Sequence, residues 1–179
     1  MKRHLLILGI VTLTCITSVF GRSEQVPEPG PLRKLENAEP SAEQLIDQFL
    51  GALARKDQDA LHRLRVTETE YREILMPTSV PAGEPLRRPS KDFADLAWGL
   101  LDQKSRYYEQ SLLFDYGGRQ LRLKDLSYAK GERTYAGYTA RQQLRLMLED
   151  VVSGDELELA TGSIVEIAGR YKFVSFIRD

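Results

Sequence analysis

The ending of the chain constrains the fold most. Leu157 to Arg178 reads as two runs of β-branched and aromatic residues joined at Ala168-Gly169, the pattern of a tight hairpin. A two-residue turn there sets Glu166 opposite Tyr171, Ile164 opposite Phe173, Gly162 opposite Ser175 and Ala160 opposite Ile177. One face then carries Ile164, Tyr171, Phe173 and Ile177 above small Ala160 and Gly162, which leaves room for a helix across the sheet. The other carries Leu159, Val165, Ile167, Val174 and Phe176 beside Arg170, Lys172 and Arg178. A face so apolar does not stand wholly in water. A slip of one residue would exchange the two faces, but either way each needs a cover.

The start of the chain reads as an export signal. Lys2 and Arg3 precede an apolar core from Leu5 to Phe20, and Val19-Phe20-Gly21 offers a small-x-small cleavage site. That core of about sixteen residues is short of the roughly 20 that span a bilayer. An uncleaved anchor is therefore the weaker reading. So is lipidation at Cys15, which lies inside the apolar core behind the unsuitable Thr12-Leu13-Thr14. Removal of residues 1–21 takes away the only cysteine and leaves His62 as the only histidine. It also takes two of the 25 basic residues that face 26 acidic ones, leaving a net charge of about −3, which gives nucleic-acid binding no support. The mature protein is expected in the periplasm or outside the cell, with no membrane segment.

Residues 22–40 hold Pro27, Pro29, Pro31 and Pro40 among charges and read as a flexible tether. Residues 41–179 suit one domain. Ser41 and Gln44 form a capping box before a helical stripe of Leu45, Ile46, Phe49, Leu50 and Leu53. Asp57 starts a short helix with Leu61 and Leu64 inward. Thr67 and Glu70 form a second box, opening a turn with Tyr71, Ile74 and Leu75. Met76 to Pro89, with four prolines, reads as a loop long enough to act as a lid. Ser90 caps the longest helix. Its broad inward face is expected to hold Phe93, Leu96, Ala97, Leu100, Leu101, Tyr108, Leu112 and Phe114, with Trp98 and Tyr107 at the margin; Gly117-Gly118 ends it.

Strands follow. Leu121 to Tyr128 is the first, with a bulge expected near Asp125. Tyr135 to Leu148 reads as one long second strand, since Leu144, Leu146 and Leu148 alternate, although 141–148 also suits a helix. The order gives an α+β domain: N-terminal helices on a curved, mostly antiparallel four-stranded sheet.

Three features together resemble the nuclear-transport-factor-two-like superfamily, the cone-shaped α+β fold shared with ketosteroid isomerase and polyketide cyclases. They are the helix from Glu43 broken at Lys56-Asp57, the helices-then-sheet order, and the hairpin from Gly162 to Ile177. The resemblance spans residues 41–179, but Thr67 to Phe114 is longer than in the simplest members. It implies a pocket between the concave sheet and the helices, and a convex face that dimerises. The apolar second face of the hairpin points separately to a homodimer.

One histidine and no cysteine do not suit zinc or a histidine-dependent triad, and no glycine-rich phosphate loop is present. His62 reads as a surface residue. No metal, cofactor or catalytic residue is assigned. Trp98, Tyr107, Tyr128, Tyr138 and Arg141 are the candidate lining of a cleft with aromatic walls and one cation. The expected function is an exported, non-catalytic domain that binds a small molecule or a protein partner as a homodimer. The alternative is an acid–base enzyme of the isomerase or cyclase kind, drawing on Asp47, Asp95, Asp102 or Asp125 beside Tyr128 or Tyr138.

Overall fold

The structure is a computed structural model that describes residues 34–86 and 88–178. The expected signal segment and the first part of the tether lie outside the described residues.

Ser41 caps α1 (Ala42–Arg55) by accepting from the Gln44 amide, and Lys56 ends it in the left-handed region. The expected stripe is buried along its whole length, from Leu45 to Leu53. Asp57 then caps α2 (Gln58–Arg63), which turns Leu61 and Leu64 inward. Thr67 and Glu70 make both bonds of the second capping box at α3 (Glu68–Glu70). The helix does not stop there. It widens into a π turn over Tyr71–Leu75 and runs on as α4 (Met76–Thr78), so the expected loop begins three residues late. Pro77 supplies the cause: it lacks the amide that a regular α-helix would use and crowds the carbonyl four residues back. α5 (Lys91–Tyr116) runs from the Ser90 cap to Gly117.

Seven strands form two antiparallel sheets among the described residues, where the sequence suggested one sheet of four. β1 (Leu121–Tyr128), β4 (Leu144–Asp150) and β5 (Glu156–Thr161) form one in the order β1-β4-β5. β2 (Glu132–Thr134), β3 (Thr139–Arg141), β6 (Ile164–Ile167) and β7 (Arg170–Phe173) form the other in the order β2-β3-β6-β7. The bulge in β1 falls between Leu123 and Asp125, as expected. Residues 144–148 are a strand and not a helix, with Leu144, Leu146 and Leu148 fully buried. The hairpin register is also as expected, with Glu166 opposite Tyr171 and Ile164 opposite Phe173. Its turn puts Ala168 and Gly169 both at positive φ, the type I′ geometry that follows strand twist.

The single strands expected over 135–148 and 157–167 are each broken. The chain reverses at Ala136-Gly137, then turns a corner at Gln142-Gln143, while its neighbour turns one at Gly162-Ser163. Thr139 lies opposite Glu166 before the corner and Leu144 opposite Thr161 after it, so the two strands bend together without slipping. The corner changes which alternate residues face inward. Leu159 therefore packs with Ile164 and Phe173 rather than beside Val165 and Ile167. Ala160 lies opposite Arg145, not Ile177.

Both faces of the hairpin are covered by the chain itself. On one side Phe49 sits against Phe173 and Phe176, with ring centres 5.3 and 5.6 Å away, in the main core of α1, α2 and the first sheet. On the other, Val165 and Ile167 pack with Leu35, Val66, Ile74, Leu75 and Ala140. On this second side, where Lys172 lies opposite Val165, a buried ion pair joins Lys172 Nζ to Glu70 Oε2 at 2.8 Å. Glu70 also accepts from the amides of Glu36 at 2.6 Å and Thr67 at 2.7 Å. One carboxylate thus holds the N-terminal segment, a helix start and β7.

The outer edge of β7 is occupied. Glu39 and Tyr171 exchange two backbone bonds of 3.0 and 2.8 Å, and Phe173 bonds Val66 and Leu64 at 2.7 and 2.9 Å.

The long helix differs most from expectation. Its buried residues are Ala94, Ser105, Glu109 and Leu112, whereas Phe93, Leu96, Leu100 and Phe114 are exposed. Polar side chains fasten its inner face. Arg65, 1% exposed, pairs with Asp102 at 3.3 Å, and Ser105 Oγ accepts from the Phe176 amide at 3.0 Å. Burial pushes the Glu109 carboxyl above its usual range. Leu112 is buried and Tyr108 packs against the core, as expected, but apolar spacing could not show that the docked face also carries Ser105 and Glu109.

Candidate functional site

A pocket of about 360 Å³ opens on the second side of the hairpin sheet. Its floor is Ala140, Val165 and Val174. One wall comes from the π turn and α4, through Tyr71, Leu75 and Met76, and continues to Ser79. Phe93 and Ala97 bring in the first turns of α5, and Tyr135 and Tyr138 close the rim from the reversal between β2 and β3.

Local structure explains the aromatic rim. The Tyr135 amide donates to the Tyr138 carbonyl at 2.8 Å, which closes the reversal and stacks the two rings with centres 4.7 Å apart. Gly137 is needed inside it, because a Cβ there would meet the Thr78 side chain at 2.7 Å. The same reversal is pinned to the loop after α4, since the Ala136 amide donates to the Val80 carbonyl at 3.0 Å. The π turn sets Tyr71 against Trp98, ring centres 5.5 Å apart, and so turns the Tyr71 face toward the cavity.

The chemistry of the lining is uncharged. None of the lining residues is Asp, Glu, Lys, Arg or His. Burial pushes the Tyr71 and Tyr138 phenols upward, and Tyr138 rises further beside Tyr135. Both therefore stay protonated at neutral pH. With Ser79, Gln142 and Ser163 they offer neutral donors and acceptors around an apolar floor.

Of the five residues expected to line a cleft, Tyr138 alone is in this lining. Trp98 stands one ring behind the wall, against Tyr71. Tyr107 projects into solvent from the outer side of α5, 69% exposed. Tyr128 and Arg141 lie on the opposite side of the sheet. There the guanidinium pairs with Glu132 at 2.7 Å and Glu166 at 2.8 Å, and sits 5.1 Å from the Tyr171 ring centre and 6.0 Å from that of Tyr128. Burial works against the Arg141 charge, but the two glutamates outweigh it and hold the group protonated. With both carboxylates already engaged, Arg141 serves as a strap across β2, β3 and β6. The sequence missed Tyr71, Tyr135 and Phe93 as lining. The spacing of Tyr135 and Tyr138 around Ala136-Gly137 was the available signal for a reversal.

The aspartates considered for acid–base work lie elsewhere. Asp47 and Asp125 are exposed. Asp95 pairs with Arg72 and with Lys91, and Asp102 with Arg65 and Arg106. No group of His, Cys, Asp and Glu among the described residues has the geometry to hold a metal ion. No described helix is long and apolar enough to cross a membrane. Comparison with protein-family models, with curated proteins and with solved structures finds no match to this chain.

Proposed function

We propose that the protein is a binding domain whose pocket takes a small, uncharged, largely apolar molecule. The observation that carries this reading is the lining: aromatic and aliphatic walls, neutral hydrogen-bonding groups, and no ionisable acid or base except protonated phenols. A charged ligand group would lose its hydration there without a counter-charge. Acid–base catalysis of the isomerase or cyclase kind needs a carboxylate within reach of the bound molecule, and the pocket lining supplies none. Export, proposed from Lys2, Arg3 and the apolar stretch behind them, places the ligand outside the cytoplasm. The cone-like shape, and kinship with the nuclear-transport-factor-two-like superfamily, belong to the same reading. They rest on the broken first helix and the final hairpin.

The test is a fluorescence titration with N-phenyl-1-naphthylamine, a neutral aromatic probe. Saturable binding at one site per chain is expected. Ala97→Trp, which fills the pocket from a half-buried helix position, is expected to weaken binding at least tenfold without lowering the melting temperature. Undiminished binding by that variant, or none by the unaltered protein, would count against the pocket.

A further inference from the structure

The eight large hydrophobic residues exposed among the described residues are not scattered. Five lie on α5: Phe93 at 57%, Leu96 at 62%, Leu100 at 51%, Tyr107 at 69% and Phe114 at 90% exposure. Phe93, Leu100, Tyr107 and Phe114 recur every seven residues, and Leu96 follows the first by three. That is the spacing of a coiled-coil seam. A straight helix drifts only about 20° per heptad from such a repeat, so all five share one side. The opposite side, with Ala94, Ser105, Glu109 and Leu112, is the docked one. A surface helix ordinarily buries its apolar side and wets its polar side; α5 docks a mixed side, with Leu112 beside Ser105 and Glu109, and leaves an apolar stripe in water.

We infer that this stripe is the seam of a two-fold dimer in which α5 packs antiparallel on α5 of a second copy. The pattern is its own complement. About an axis between Gln103 and Lys104, Phe93 meets Phe114 of the second copy, Leu100 meets Tyr107, and Leu96 lies level with Ser111. An isologous contact needs a patch that matches itself on reversal, and this one does so at both ends and at the centre. Gln103 lies on the seam at the axis and can bond its counterpart. Lys104 stands to one side, where its long stem carries the ammonium out to water.

The size also suits. Residues 93–114 span roughly 32 Å of helix at about 1.5 Å per residue. Five side chains that are half to nine-tenths exposed remove on the order of 600 Å² per copy, or about 1,200 Å² in all, the lower bound of a specific interface. The second sheet face, the surface the sequence suggested for a dimer, is already covered by Leu35, Ile74, Leu75 and Trp98. The stripe shares only Phe93 with the pocket lining, and its other four residues stand apart from the pocket reading.

Analytical ultracentrifugation of the protein as isolated from its producing cell, from about 1 to 200 µM, reads the association directly. A reversible dimer is expected. Leu100→Lys should raise its dissociation constant at least a hundredfold with an unchanged circular dichroism spectrum. Val152→Lys, which removes an exposed hydrophobic residue outside the stripe, should leave it unchanged. In a Cys15→Ser background, Leu100→Cys mixed with Tyr107→Cys should form the mixed disulfide faster than either forms its own. A monomer throughout the range overturns the inference, as does a dimer indifferent to Leu100→Lys. Preferred self-linking of Leu100→Cys overturns the axis. A monomer carrying a lipid or another protein on native mass spectrometry overturns the choice of occupant.

Discussion

Replacing Lys172 with methionine is expected to destabilise the protein by about 3–5 kcal/mol, the usual cost of stranding one member of a buried ion pair. The side chain is 1% exposed and that of Glu70 5%. Methionine fills much the same volume but leaves the carboxylate with two amide donors and no counter-charge. The loss should appear as a lower urea midpoint with the slope unchanged. Glu70→Gln in the Lys172→Met background is expected to recover part of it, because the amide oxygen still accepts from a backbone donor while the buried charge is gone. A loss below about 1 kcal/mol for Lys172→Met alone would mean that water reaches the pair, and the three-way junction at Glu70 would not be the fastening described above.

Gly162→Ala should be as damaging, for a reason of shape. A Cβ at Gly162 would lie 1.9 Å from the Ser175 carbonyl oxygen and 2.6 Å from its carbon. Both atoms are backbone, so no rotamer change relieves the overlap. Either the strand corner or the C-terminal segment must move, and Phe176 with it. A cost of about 3 kcal/mol or more is expected, at the upper end for overpacking. The same methyl at Gly99, where nothing lies within 4 Å, should instead stabilise α5 by roughly 0.5–1 kcal/mol through helix propensity. Thermal unfolding of the two variants side by side checks the contrast. Equal effects would sink it.

Local signals in the sequence were legible wherever one short stretch decides the outcome. Ser41, Asp57, Thr67 and Ser90 all cap helices as read. Ala168-Gly169 fixes the hairpin register without help from the rest of the chain. What failed was the assumption that alternation continues unbroken. Gln143, held at a φ of 55°, and Gly162, chosen by an approach from Ser175, reset the inward side of two strands at once. Neither residue advertises a distant cause. The pocket suffered the same way: its rim depends on a reversal between Tyr135 and Tyr138 and on a π turn forced near Pro77. The spacing of Tyr135 and Tyr138 marks the reversal, but neither feature shows which distant residues it will meet across the pocket. The long helix misled for an energetic reason. Apolar periodicity reports which side of a helix avoids water, and on α5 the core takes only the margin of that side, through Tyr108 and Leu112, together with a polar strip fastened by Arg65, Asp102 and Ser105.

The occupied edge of β7 bears on how this protein fails. A sheet edge with free amides and carbonyls is a template onto which another chain adds a strand. Here Glu39 covers the backbone at Tyr171, while Leu64 and Val66 cover Phe173. The first of these covers lies before Ser41, within the stretch whose proline content suggests a mere tether. A chain shortened to begin at Ser41 would retain every helix and strand of the domain and still lose that guard. It would also lose Leu35 from the second core and the Glu36 amide from Glu70, so the seven residues 34–40 guard the chain against growth by strand addition as well as adding to its stability.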